Sequence, residues 1–438
     1  MLDIKFIREN PEKIKKVLED KKIPDAVDVD KLLELDKQYL ELLRKAETHR
    51  SLKNELSKDI SKVTGEAKDK LLAEATKVKN DLGILEQELD VVKKNLDEEL
   101  LKLPNLVSDD TPVGKDESEN VVLRRWGKPT KFGFEPKDHV DLGVPLDLID
   151  IETATKISGS RFFYLKNEAV LMQFALVQFV LQTLTNPKII AELAKKVNNP
   201  YTNVFTPVVP PVLMRPEVMN KMGRLNPIEE RYYIPSDPLV LVGSAEHTLG
   251  PIFMDQTLKA NQLPVRFIGY STAFRREAGT YGKDMKGILR VHQFDKLEME
   301  TFVPQEIGLQ EQDLLVAIQE YLMQQLELPY EVMILCTGDM GKPDYRQIDI
   351  NTWVPAQNKY RETHSADYMT DYQARRLNIK YEDAEGNRKF VYMNDATALA
   401  IGRTLIAILE NNQQEDGSIK IPRILQQYLN GKEIIVRK

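Results

Sequence analysis

The sequence predicts an α+β protein in two parts: an antiparallel two-helix coiled-coil arm, then a larger unit built on an antiparallel β-sheet flanked by helices. Three observations predict it. Leu71, Ala75, Val78, Leu82, Leu85, Leu89, Val92 and Leu96 recur in alternating steps of four and three, an unbroken coiled-coil seam. Pro104 to Asn120 is poor in large apolar residues and rich in turn formers, as a linker is. Beyond it, long strand-like stretches group together among helices without regular βαβ spacing, which favours an antiparallel sheet over a doubly wound one. No glycine loop of the P-loop or dinucleotide type occurs.

Composition narrows the class. With 438 residues the chain can bury a large core in more than one domain, and 42% hydrophobic with 29% charged residues describes a globular protein. Asp3, Lys5, Arg8 and Glu9 break up the N-terminal apolar residues, so no signal-peptide core and no membrane partner is expected. The most apolar stretch, Ala169 to Leu184, is interrupted by Gln173, Gln178 and Gln182 and reads as a buried helix. The single cysteine, Cys336, rules out an intrachain disulfide, argues for a reducing, cytoplasmic setting and argues against a cysteine-based zinc site. A net charge of −7 means that any nucleic acid must be met by a local basic patch.

Along the chain, Asp3 is placed to cap a first helical turn and Pro11 to start the next helix. Leu32, Leu35, Tyr39, Leu42 and Ala46 then mark one arm helix, and Thr64-Gly65 the reversal into the second. Charge on this hairpin is uneven. Between Arg44 and Asn80 the bases Arg44, Lys45, Arg50, Lys53, Lys58, Lys62, Lys68, Lys70, Lys77 and Lys79 outnumber the acids by ten to six. The base of the arm is acidic instead. A basic tip suits a phosphate backbone; a mixed, solvated coiled-coil face is the other reading of the same charges.

In the second part, Asp150 to Thr155 starts a helix, Ser158 to Leu165 reads as a strand, Glu168 to Thr185 as a helix and Thr202 to Val209 as a strand closed by Pro210-Pro211. Further strands are expected at Val332 to Leu335, Gln347 to Trp353 and Phe390 to Met393, and a helix at Thr404 to Asn411. The stretch Tyr270 to Glu300 is the most informative. An apolar run ends at Phe274 and Arg275-Arg276-Glu277 follow. A basic loop with Gly279, Gly282, Lys283, Lys286 and Gly287 comes next, and Ile288, Leu289, Val291, Phe294, Leu297 and Met299 alternate on the way back to Glu298 and Glu300. This is a hairpin presenting an arginine suited to a polyanion and a carboxylate suited to an amine; alone, it equally describes a surface hairpin with solvated charges.

Phe274-Arg275-Arg276-Glu277-Ala278-Gly279 and His292-Gln293-Phe294-Asp295-Lys296-Leu297-Glu298 resemble motif 2 of the class II aminoacyl-tRNA synthetases, in the form carried by seryl-tRNA synthetases. The helix, strand and Pro211 resemble motif 1, which builds the homodimer interface in that class. Asn394 to Thr404 resembles motif 3. Asp371 to Arg376 and Glu410 to Leu425 also match segments of the family, of its zinc-free, bacterial-like type.

The resemblance implies a fold, an activity and a set of roles. It implies a tRNA-binding arm over 1–103, a linker over 104–120 and a class II synthetase catalytic domain over 121–438. It implies a serine–tRNA ligase that uses ATP with Mg²⁺, is cytoplasmic and homodimeric, and charges tRNA(Ser), and tRNA(Sec) where one is present, through the ten basic arm residues. Serine binding falls to Ser244, Glu246, Arg275, Glu298 and Thr397, where Ser244 stands in place of the usual threonine and keeps the hydroxyl. ATP binding falls to Arg275, Arg276, Glu277, Phe294, Glu362, Thr363, His364, Ser365 and Arg403. Arg275 takes the α-phosphate, Glu277 the adenine edge, Phe294 the adenine face and Arg403 the γ-phosphate. Glu362 and Ser365 hold the metal as hard oxygen ligands. His364 departs from the family's usual serine, and Mg²⁺ prefers oxygen to its ring. Lys283 and Lys286 suit either the tRNA acceptor end or solvent. Arg275, Arg403 and Glu298 are the expected catalytic trio. Two other functions stay open: serine activation for a carrier other than tRNA, and a silent coiled-coil binding protein.

Overall fold

Short side-chain caps and one long seam build the N-terminal part. Asp3 accepts the N–H of Lys5 and starts α1 (Ile4–Glu9), and Pro11 opens α2 (Pro11–Asp20). Asp28 accepts the N–H groups of Asp30 and Lys31 and starts α3 (Val29–Ile60). The turn runs through Gly65, whose φ of +68 only a glycine adopts without strain, into α4 (Glu66–Lys102). Leu32, Ala46 and Leu56 on α3 and Val78, Leu82, Leu89, Leu96 and Leu100 on α4 are buried, which carries the expected seam on to Leu56 and Leu100. At 1.5 Å per residue the 37-residue α4 spans roughly 55 Å. Arg50 bridges to Glu86 on the opposite helix at 2.9 Å.

The computed structural model describes residues 1–278 and 286–437, which fall into two compact units, Met1–Pro104 and Asn105–Lys438. Gly279, Gly282 and Lys283 of the basic loop lie outside the described residues.

The second unit is organised by an eight-stranded sheet. In chain order its strands are β1 (Val121–Trp126), β2 (Thr206–Val208), β3 (Val265–Phe274), β4 (Gln293–Val303), β5 (Tyr330–Ile334), β6 (Arg346–Val354), β7 (Lys359–Thr370) and β8 (Tyr392–Ala400). They lie side by side as β1-β5-β6-β7-β8-β4-β3-β2, antiparallel throughout except for β2 against β3. Around it, α5 (His139–Gly143), α6 (Glu168–Leu184), α7 (Pro187–Lys196), α8 (Glu246–Leu249), α9 (Gly308–Gln325) and α10 (Ile401–Asn411) complete the elements that matter here. Leu297 and Met299 of β4 join Leu314, Leu315 and Ile318 of α9 and Leu405 and Ile408 of α10 in one apolar core. Alternation along β4 therefore turns Lys296, Glu298 and Glu300 to the other face.

Several expected boundaries move, each for a local reason. Ser158 ends a helix (Ile151–Ser158) begun by the Asp150 cap, and only Tyr164–Leu165 of the expected strand pairs. The return limb of the motif 2 hairpin becomes a strand only at Gln293, because Ile288 to Val291 bend away from β3 to other partners. The segment expected as the interdomain linker is held at Asn105, whose Nδ2 donates to the carbonyls of Pro343 and Met369 at 2.9 and 2.8 Å. No single helix among the described residues is long and apolar enough to cross a membrane.

Candidate active site

Register brings the pieces together. β4 and β8 pair Glu298 with Thr397 and Glu300 with Asp395. β7 and β8 pair Asp367 with Asp395 and Ala366 with Ala396, and there their pairing stops. Past that point β7 pairs only with β6 and β8 only with β4, so the sheet forks. One prong carries Glu362, Thr363 and Ser365, and the other leads through Thr397 and Ala400 to Arg403 in the first turn of α10. Gln319 of α9 sits at the crotch of the fork. Its Nε2 donates to the carbonyl of Ser365 at 2.8 Å and to that of Thr397 at 2.9 Å. Two carbonyl acceptors fix which end of the amide faces them.

A cleft opens over the fork. Arg275, Glu277, Phe294, Glu298, Glu362, Thr363, Ser365, Thr397 and Arg403 all line it, as does Glu246 at the start of α8. Arg275 is oriented twice: its Nε donates to the Gly243 carbonyl at 3.1 Å, and its guanidinium lies 5.4 Å from the Phe294 ring centre. Glu277 adopts φ +50 and its carboxylate lies 3.6 Å from Arg290. At the other end, Arg403 Nη1 contacts both the carbonyl and the carboxylate of Glu362 at 2.9 Å.

One end of the cleft is an acidic well. One oxygen each from Glu246, Glu298 and Asp395 lie within 4.8 Å of one another. Arg224 neutralises part of this charge, 3.4 Å from Glu246 and 3.3 Å from Asp395. Burial opposes ionisation of Glu246, but Arg224 and then Lys296 outweigh it and hold its carboxyl well below the usual range. Glu298 goes the other way. Its burial dominates over Lys296, 2.6 Å away, and its pKa is pushed up to about 7. Asp395 and Glu300 are also pushed well up, by burial and then by neighbouring carboxylates. Thr397 Oγ1 donates to Glu298 at 3.4 Å. Acceptors in such density, held near two cations, suit a small ligand with an ammonium and a hydroxyl.

Not every expected residue reaches the cleft. Ser244 is fully buried behind it and donates to Glu246 Oε2 at 3.2 Å, so its hydroxyl orients the glutamate. Arg276 is exposed and does not line the cleft. His364 lies in the core with Nδ1 2.8 Å from Thr363 Oγ1; burial lowers its pKa to about 3 and keeps it neutral. Lys286 pairs with Asp138 and Asp141 on and beside α5. The ten basic arm residues are exposed, although Arg50 is engaged by Glu86 and Lys62 by Asp59.

Other residues in or beside the cleft carried no expected role. Lys296 and Asp395 lie inside motif runs, where the charge itself was the signal. Asp349 does not line the cleft but pairs across β6 and β7 with Ser365, which does. Arg224 belongs to no motif and is delivered by the turn at Gly223, φ +77, so only the fold reveals it.

Comparison with known proteins finds relatives over the whole chain. Residues 1–107 match the family model for the seryl-tRNA synthetase N-terminal domain. Residues 233–412 match the tRNA synthetase class II core domain of the G, H, P, S and T enzymes. A serine–tRNA ligase of Dictyoglomus turgidum is 40% identical over 441 residues, covering all of both chains. The crystal structure of seryl-tRNA synthetase from Pyrococcus horikoshii complexed with ATP superposes with a TM-score of 0.90 at 37% identity, covering all of both chains. The cytoplasmic enzyme of Naegleria fowleri in complex with AMP gives 0.84 at 28% identity, over all of this chain and 99% of the other. With a coiled-coil arm, a forked antiparallel sheet and relatives of this identity over its whole length, the chain belongs to the seryl-tRNA synthetase family.

Proposed function

We infer that the protein is a serine–tRNA ligase, which joins L-serine to ATP as seryl-adenylate with release of pyrophosphate and then passes the seryl group to the 3′ end of tRNA(Ser). The observation that carries this is the meeting of Arg275 and Arg403 with the Glu246–Glu298–Asp395 well in one cleft. A serine carboxylate is already ionised at neutral pH, so its attack on the α-phosphorus needs no general base. The chain's contribution is positioning and charge. Arg275 neutralises the carboxylate and α-phosphate, Arg403 the outgoing pyrophosphate, while the acidic well holds the ammonium and the hydroxyl. Glu298 and Thr397 supply the hydrogen bonds that alanine cannot satisfy; such a site rejects the analogue by ~10⁴–10⁵-fold.

The residues fit Mg²⁺. Glu362 and Ser365 offer hard oxygen donors, and the buried Asp349 carboxyl beside them is pushed up by burial and then by the charge of Glu362. A cation near these carboxyls relieves that repulsion. When bound, the ion neutralises phosphate charge. Exposed lysines along α3 and α4 support the arm as the tRNA contact and weigh against a non-tRNA carrier. Leu171 and Phe174, exposed on α6, and Val209, exposed just after β2, lie on the motif 1 segments and support a homodimer. The single buried cysteine supports a cytoplasmic setting.

The test is ATP–pyrophosphate exchange measured with every amino acid in turn. Serine alone is expected to support it, and Arg275→Ala is expected to lower it by at least about 10²–10³-fold. Exchange driven by another amino acid, or near-normal exchange by the variant, overturns the assignment.

A further inference from the structure

The return limb of the motif 2 hairpin is tied to α5 at three consecutive residues. Lys286 Nζ lies 2.7 Å from Asp138 and 3.2 Å from Asp141. Gly287 has φ +85, and a Cβ there would stand 2.0 Å from His139 Nε2. The Ile288 N–H donates to that same Nε2 at 3.2 Å. A backbone amide can only donate, so Nε2 is the unprotonated nitrogen and the ring proton sits on Nδ1. Nδ1 faces Glu410 Oε1 at 2.9 Å. Glu410 is fully buried near the end of α10 and is itself held by the N–H groups of His139 and Ala356, at 3.1 and 3.2 Å. The imidazole is thus a buried strut between the scaffold and one loop amide, and the backbone is shaped to let it in.

What the strut supports is the wall of the cleft. Ile288, Leu289, Arg290 and Val291 line it, and Arg290 reaches Glu277 from there. The far end of this limb is fixed by the mutual bonds of Arg275 and His292: Arg275 N–H donates to the His292 carbonyl at 3.0 Å, and His292 Nδ1 lies 3.0 Å from the Arg275 carbonyl. Without His139, Ile288 loses its backbone tie to the scaffold, and Ile288 to Val291 are left between the exposed ion pairs of Lys286 and the His292 end.

We propose that His139, oriented by Glu410, is a positioning residue for nucleotide binding: it fixes Ile288 so that Arg290 and Glu277 stand ready for ATP. This rests on the reading that the nucleotide lies against Glu277 and Phe294. It touches no part of the serine well, so its signature is selective.

The test is exchange kinetics of His139→Leu and Gly287→Ala with ATP and serine varied separately, alongside thermal melting. Both variants are expected to raise the ATP KM about tenfold, the scale of one buried hydrogen bond, with the serine KM within about twofold. His139→Gln, whose amide oxygen can still accept from Ile288, is expected to recover much of the loss. An unchanged ATP KM in either folded variant, even with a lowered melting temperature, reduces His139 to a packing role and overturns the proposal. So do parallel shifts in both KM values. Should His139→Leu not fold, Gly287→Ala decides the matter. Failure of the underlying function looks different, since the unmutated protein would then show no serine-dependent exchange.

Discussion

Glu298 is the residue whose ionisation matters most near neutrality. Its folded pKa of about 7 stands above the ordinary 4.5, with burial as the leading cause. The native state therefore holds a proton that the unfolded chain has given up. The resulting stabilisation is complete below about pH 4.5 and is lost as pH rises through 7, and a shift of that size is worth on the order of 3 kcal/mol. Asp395 and Glu300 are raised too, by burial and then by neighbouring carboxylates. Glu298→Gln should remove the effect. Denaturant unfolding at pH 5 and pH 8 is expected to show the variant gaining on the parent protein as pH rises, whereas curves that stay parallel would contradict the buried, protonatable carboxyl. At this scale the sequence was readable where a charge sits inside a patterned run. Arg275, Glu277 and Glu298 are such cases. Arg224 was not readable, because nothing near it in sequence announces the three carboxyls it meets only after folding. His364 misled for the converse reason: its neighbours Thr363 and Ser365 line the cleft, while its own ring is buried away in the core.

Among elements, the fork between β7 and β8 creates the site, and α9 maintains it through Gln319. Replacing this buried side chain by the volume-matched Gln319→Met leaves two carbonyls without their donor, a loss of about 1–3 kcal/mol for each group left unsatisfied. Because one carbonyl belongs to Ser365 and the other to Thr397, the KM values for ATP and serine are expected to rise together in exchange assays. A rise in one alone would show that the prongs are held independently. The long helices were legible because a seven-residue rhythm sustained over many turns has no competing explanation. Strand ends were less so. Whether Ile288 continues β4 or leaves it depends on His139, some 150 positions earlier, and local alternation carries no trace of that partner.

For the whole molecule, the two units should separate by task. Removal of residues 31–102 is expected to leave serine-dependent exchange within a few-fold of normal and to reduce tRNA charging by orders of magnitude. Undiminished charging by the shortened protein would show that the arm does not grip tRNA. The uneven charge of the arm has a further consequence. A chain with an overall charge of −7 pushes a polyanion away on average, while the lysine-rich stretch of α3 and α4 pulls it in. On the proposed role of the arm, an incoming tRNA would experience a torque before it touches anything, which would disfavour wrong-way approaches. Added salt shortens the reach of that torque to within a Debye length, ~8 Å at physiological ionic strength. It slows the encounter and leaves the adenylate step to run at its own pace.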